Sequence, residues 1–300
     1  MPEPRPLPSP AGAPSRRGAA VVAALLALYV IWGSTYLAIR IAIAGVPPLL
    51  MAAGRFLLAG GVLLTYLRAR GAPWPTRKAW GAGALVGVLL CAANGLVTLA
   101  EQWVSSNLAA VVVASLPLWT VLLASLWGER PARAEGAGIA LGLAGVIVLQ
   151  LGGELSASPR GTLLLVASTW CWALGSIWGR RLPVPDGAMA SAVEMLAGGA
   201  ALALAGVLRG ERITAVPAAG QLAAWLYLTV FGSLVAFSAY AFLLRQVRPA
   251  LATSYAYVNP AVAVALGAAA GEPVGARTIG ALGLILAGVA ALAAVRRPAR

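Results

Sequence analysis

The chain has 300 residues, 60% of them hydrophobic and 10% charged, where an ordinary soluble domain carries roughly 25% charged residues. That composition leaves no room for a sizeable soluble domain. The net charge of +13 does not indicate nucleic acid either, because the arginines are scattered through short segments between apolar runs. With no histidine anywhere, His-containing metal sites and Ser-His catalytic pairs are excluded, and the absence of a P-loop excludes a nucleotide-driven pump.

Residues 1–17 are rich in Pro, Ala and Arg and are expected to form a disordered tail. Apolar runs then follow at about 19–39, 46–67, 80–100, 106–127, 134–152, 161–178, 187–208, 219–244, 249–270 and 275–295. Each is near the length that crosses a bilayer, so the expected fold is an all-α membrane protein of ten transmembrane helices. The first run is longer than a signal-peptide core and is expected to be retained. Proline punctuates the connections, as at Pro47-Pro48, Pro131, Pro183, Pro185 and Pro249. Cys91 and Cys171 fall inside spans and read as small packing residues rather than a disulfide or metal ligands. With both termini placed in the cytoplasm, sixteen of the 22 basic residues fall in inside segments and five outside, with Arg55 alone within a span. That bias supports cytoplasmic termini.

The chain also repeats itself. Pro117, Glu129 and Gly145 recur as Pro260, Glu272 and Gly288, each pair 143 positions apart and each in similar apolar surroundings. Five helices per copy is an odd number, which turns the second copy upside down relative to the first. Inverted repeats of this kind suit a transporter with a site near the midplane. The inversion also puts Glu129 and Glu272 at opposite faces, where they read as loop-ordering or capping residues.

Ile31-Trp32-Gly33-Ser34-Thr35-Tyr36, Pro47-Pro48 and Arg55-Phe56 resemble the opening of an EamA-type repeat of the drug/metabolite transporter superfamily. Tyr255-Ala256-Tyr257-Val258-Asn259-Pro260 and Gly271-Glu272 resemble its closing helices. More narrowly, Glu101-Gln102-Trp103, Ser115-Leu116-Pro117-Leu118-Trp119 and Ser191-Ala192-Val193-Glu194-Met195 resemble the YedA-type inner-membrane exporters. The resemblance implies two inverted EamA repeats, over residues 18–152 and 161–295, joined by a loop at 153–160 and followed by a basic tail at 296–300. It further implies a cavity lined by the first, third, fourth, sixth, eighth and ninth spans. Amino acids or amphipathic drug-like compounds are the substrates it suggests, exported across the bacterial inner membrane.

The residues suited to transport are those that are costly in lipid. Pro117 and Pro260 each remove a backbone hydrogen bond and free a carbonyl, which suits a hinge or a cavity wall. Trp32, Tyr36, Asn94, Trp119, Trp172, Ser238, Tyr240, Tyr255, Tyr257 and Asn259 are polar or aromatic within spans. They are either core packing or the walls of a substrate cavity. Arg55 and Glu194 lie on the order of 10 Å below opposite surfaces and read as a structural pair, as side chains snorkelling toward the interface or, through Glu194, as a proton-coupling site. Glu101 is an interfacial residue or a gate. Gly138, Gly142, Gly280, Gly283 and Gly288 allow close packing of the fifth and tenth spans, within the protomer or across a homodimer. No cofactor, metal or nucleic acid is expected; the partners are a small-molecule substrate and the lipid bilayer. The other classes to weigh are a non-transporting receptor or scaffold and a polytopic membrane enzyme. Against the enzyme, Asp186 in a loop is the only aspartate, so no intramembrane aspartate pair exists.

Overall fold

The computed structural model describes residues 16–104, 109, 112–113, 115–128, 133–150, 158–269 and 276–294. Their regular structure is helical: α1 (Arg16–Ile43), α2 (Pro48–Ala69), α3 (Arg77–Ala100), α4 (Leu116–Leu126) and α5 (Arg133–Gln150) precede α6 (Pro159–Arg181), α7 (Ala188–Leu208), α8 (Ala219–Gln246), α9 (Tyr255–Ala269) and α10 (Ala276–Ala294). A single turn, Pro249–Ala252, leads into α9. Among the described residues, α1, α2, α3, α6, α7 and α8 are long and apolar enough to cross a membrane. Their outward residues, such as Leu26, Val30, Leu204 and Leu208, are exposed hydrocarbon, as a lipid-facing surface requires. Glu129 and Glu272 lie outside the described residues.

Local chemistry sets the helix ends. Pro48 and Pro159 stand in first turns, where a missing N–H costs nothing, and Thr76 and Ser158 accept from Ala79 N and Gly161 N. Helices α2 and α7 end the same way. Gly71 (φ 79°) and Gly210 (φ 76°) adopt the left-handed conformation, and the next residue donates back five positions, Ala72 N to Leu67 O and Glu211 N to Gly206 O.

The helices pair in a pattern that survives exchange of the two halves. Helix α2 packs on α7 and α5 on α10, each against its own counterpart. Helix α1 packs on α8 as α6 packs on α3, and α9 on α1 as α4 on α6. Close approach is built from small residues: a Cβ on Gly33 would stand 2.6 Å from Val262 Cβ, and one on Gly288 would stand 2.7 Å from Gly138 O. Gly138, Gly142 and Gly288 are thus occupied within the protomer. Replacing Gly142 by leucine should drive into the Tyr257 ring, which an added Cβ would already meet at 2.9 Å. We expect a clearly lower melting temperature in detergent for Gly142→Leu and a wild-type value for Gly283→Leu, where an added Cβ meets nothing within 4 Å.

Two expected spans are broken rather than continuous. In the run at 106–127, Ser115 lies in a turn and Pro117 falls in the first turn of α4, so it starts a helix instead of kinking one. In the run at 249–270, the break is at Thr253–Ser254, and Pro260 remains inside α9. Helix α8 is continuous but widens into a π-helix over Leu228–Val235, a departure that no periodicity announces.

Candidate functional site

A cavity lies where the two halves meet. Its walls enclose about 550 Å³ of atom-free space, mouth included. Helix α1 contributes Trp32, Thr35, Tyr36 and Ile39, one stripe at helical spacing. Helix α3 adds Ala93, Asn94 and Val97, and α6 adds Ser168, Thr169 and Trp172. Arg55 enters from α2, Tyr255 and Asn259 from α9, and Val113 and Leu116 from either side of the Ser115 break. All the residues from α1 and α3 lie in the C-terminal half of their helix, and those from α6 in the N-terminal half or at mid-helix.

Beyond one side of this cavity stands an aromatic cluster. The Trp32 ring packs edge-on against Trp172 (5.3 Å between centroids) and Tyr255 (4.6 Å), and against Tyr240 at 5.4 Å. Tyr240 also meets Trp172 at 5.2 Å and Tyr255 at 5.8 Å, so the four rings close on one another. Such contacts add of order 0.5–1.5 kcal/mol each beyond area. Two hydrogen bonds fix the arrangement: Trp32 Nε1 donates to Gly232 O at 3.0 Å, and Tyr240 Oη and Ser176 Oγ share a 2.5 Å bond.

The π-helical turn of α8 is what meets the cavity residues. Besides the Gly232 carbonyl, it presents Ser233 Oγ, which accepts from Arg55 Nε at 2.9 Å. Arg55 Nη2 reaches Asn94 Oδ1 at 3.4 Å, and its guanidinium lies 4.5 Å from the Phe56 centroid. Asn94 Nδ2 in turn donates to Leu90 O, and Ser168 Oγ donates to Ala93 O. Asn259 Oδ1 is buried and accepts no hydrogen bond among the described residues.

Trp32, Tyr36, Arg55, Asn94, Trp172, Tyr255 and Asn259 are therefore brought together in the lining, with Tyr240 just behind. The remaining candidates lie elsewhere. Trp119 packs against Trp170 and donates to Ser115 Oγ, Tyr257 is wedged against Gly142 of α5, and Ser238 is a half-buried residue of α8 outside the lining. Glu194 sits in the α3–α7 seam, where its carbonyl meets Cys91 Sγ and an added Cβ on Gly87 would clash with its backbone. Of the alternatives for Arg55 and Glu194, the direct ion pair is not formed: Arg55 donates to Ser233 Oγ and Asn94 Oδ1 instead. Glu101 caps the end of α3; both its carboxylate oxygens are covered and make no hydrogen bond among the described residues. Thr35, Ser168 and Thr169, together with Gly232 and Ser233, are site residues that sequence reasoning missed. The spacing of Trp32, Thr35, Tyr36 and Ile39 could have revealed the first; nothing in the pattern announces the π-turn.

A helical membrane protein with two equivalent halves and a cavity between them is, as a class, a multispanning carrier. Comparison with known proteins identifies which. The EamA-like transporter family matches residues 19–151 and again 159–294, and the chain belongs to that family. It is 50% identical over 250 residues to the inner membrane transporter YedA of Escherichia coli (strain K12), covering 83% of this chain and 82% of that protein. A probable amino-acid metabolite efflux pump of the same organism is 27% identical over 164 residues, 52% of each chain. A crystal structure of a 26% identical protein superimposes with a TM-score of 0.78, covering 93% of this chain and 99% of that one. The protein is thus an inner-membrane transporter, not an enzyme.

Proposed function

We propose that this protein is a secondary exporter of small metabolites, working by alternating access of two inverted five-helix repeats. The first repeat spans 18–152 and the second 161–295, with ten transmembrane helices and both termini cytoplasmic. The observation that carries this reading is the cavity lined from both halves and backed on one side by the Trp32–Trp172–Tyr240–Tyr255 cluster. In the orientation set by the arginines, α1 and α3 end outside. The cavity then belongs to the external half, and the aromatic cluster separates it from the cytoplasm. Pro260 and the break before Pro117 supply deformable points beside that cluster. Exposed Trp74 under Arg68, and Trp103 under Arg160, support the same placement of the interfaces. A homodimer through α5 and α10 would have to use their outer faces, since the inner glycines are taken.

Reconstituted protein should move members of a metabolite panel, amino acids and amphipathic compounds included, across proteoliposome membranes. Correctly folded protein that moves none would overturn the reading. Proton coupling through Glu194 is tested separately. That residue faces Cys91, with Arg245 and Tyr240 as further charged or titratable neighbours. Glu194→Gln should weaken flux driven by a pH gradient at least severalfold while leaving exchange at equal pH in place; an unchanged gradient response removes Glu194 from coupling.

A further inference from the structure

We infer that Arg55 is the receptor for the carboxylate of a monoanionic substrate whose body is apolar or aromatic. The inference rests on the transport reading above for the word substrate, but it concerns binding and is tested without flux.

Arg55 is 2% exposed, well inside α2, yet it lines the cavity. A guanidinium there is costly unless paired. Among the described residues no carboxylate lies within ion-pair distance of it, and its hydrogen bonds go to two neutral groups, Ser233 Oγ and Asn94 Oδ1. Guanidinium has five N–H donors, so these two bonds leave three, enough for a paired contact with a ligand. The planar fork matches a carboxylate in two parallel bonds, where a lysine would act as a point charge.

Charge balance selects the class. No other lining residue is charged, so one negative charge in the ligand leaves a neutral complex. A dianion such as a phosphate monoester would leave an uncompensated charge in a site of low dielectric. The rest of the wall decides the body. Trp32, Tyr36, Trp172 and Tyr255 line the cavity, together with Ile39 and Leu116. Ser233 and Asn94 hold the guanidinium in place, so the π-turn of α8 is part of the receptor through Ser233.

The experiment uses the purified protein in nanodiscs and three matched ligands, 3-phenylpropanoate, its uncharged isostere 3-phenylpropanamide, and the dianion phenyl phosphate. Quenching of tryptophan fluorescence or calorimetry reads the affinities. The carboxylate should bind at least about tenfold more tightly than either of the others. Arg55→Gln should abolish that preference while amide binding persists, and Arg55→Lys should keep a weaker preference. Equal affinity for carboxylate and amide, tighter binding of the phosphate, no carboxylate binding, or a preference that survives Arg55→Gln would each overturn the inference. The wild-type ratio stands as a test even if the Gln variant fails to fold. Retained carboxylate preference in a protein that moves no solute would sink the transport reading alone. Flux of neutral solutes by a protein with no carboxylate preference would sink this one alone.

Discussion

Gly87→Ala is expected to remove most of the folded protein from the membrane, although it adds a single methyl group. The new Cβ would stand 2.2 Å from Glu194 O, 2.4 Å from its Cα and 2.6 Å from its carbonyl carbon. All three are backbone atoms of α7, so no rotamer change relieves the clash; α3 and α7 must separate. That separation would also loosen Gly198, whose added Cβ would meet Cys91 Sγ and Gly87 O at 2.4 Å, because the same seam serves both. Overpacking in a well-packed interior costs about 1–3 kcal/mol, and a backbone collision lies at or beyond the upper end of that range. The control is Gly61→Ala in α2, where an added Cβ finds nothing within 4 Å. Both changes raise intrinsic helix propensity by about 1 kcal/mol, so propensity cannot account for opposite results. Fluorescence-detected size exclusion after a heating series should show Gly61→Ala at or above the wild-type midpoint and Gly87→Ala far below it. Similar midpoints for the two would mean that α3 and α7 do not approach as described.

Trp32→Ala should have the largest effect on transport short of unfolding. Trp32 is the one residue that both lines the cavity and contacts all three other rings of the cluster behind it. It is also tied to the π-turn through Gly232 O. Truncating a buried Trp costs about 3–5 kcal/mol in soluble cores. Hydrocarbon surroundings reduce the transfer part of that, since the membrane itself is apolar. What remains is lost ring contact and an open space between the cavity and the far side. The expected outcome is a leak: substrate flux loses its saturation and its dependence on a driving gradient, while the protein still reaches the membrane. Trp32→Phe keeps part of the ring contact and loses the hydrogen bond, so it should fall between. Saturable wild-type flux in Trp32→Ala would show that the cluster is not the barrier.

Several site residues were legible because their type is expensive in lipid. Asn94, Asn259 and Arg55 stand out in any apolar run, and Trp32 with Tyr36 at spacing four declares one helix face. Thr35 and Thr169 did not stand out, since a hydroxyl can satisfy itself on its own helix, as Thr35 does on Trp32 O and Thr169 on Val166 O; Ser168 donates across to Ala93 O of α3, a bond no sequence pattern announces. Trp119 and Tyr257 lie outside the lining, where packing accounts for them. An aromatic residue costs little in lipid or in a helix seam, so its presence mid-span says nothing about a cavity.

Taken alone, the sequence determined the membrane, the duplication and the family. Those properties depend on composition, on a spacing of 143 residues and on motifs, all of which are one-dimensional. Position along a helix followed as well, since the apolar run placed Arg55 well inside α2. Direction did not follow. Which way a side chain points depends on the rotation of its helix about its own axis, and that is set by packing against helices far away in the chain. Only the tertiary structure could therefore turn Arg55 into the cavity against Ser233, leave Glu194 in the α3–α7 seam, and bring the π-turn of α8 to the site. Arg55 and Glu194 make no ion pair because the rotation and packing of α2 and α7 give each side chain other neighbours.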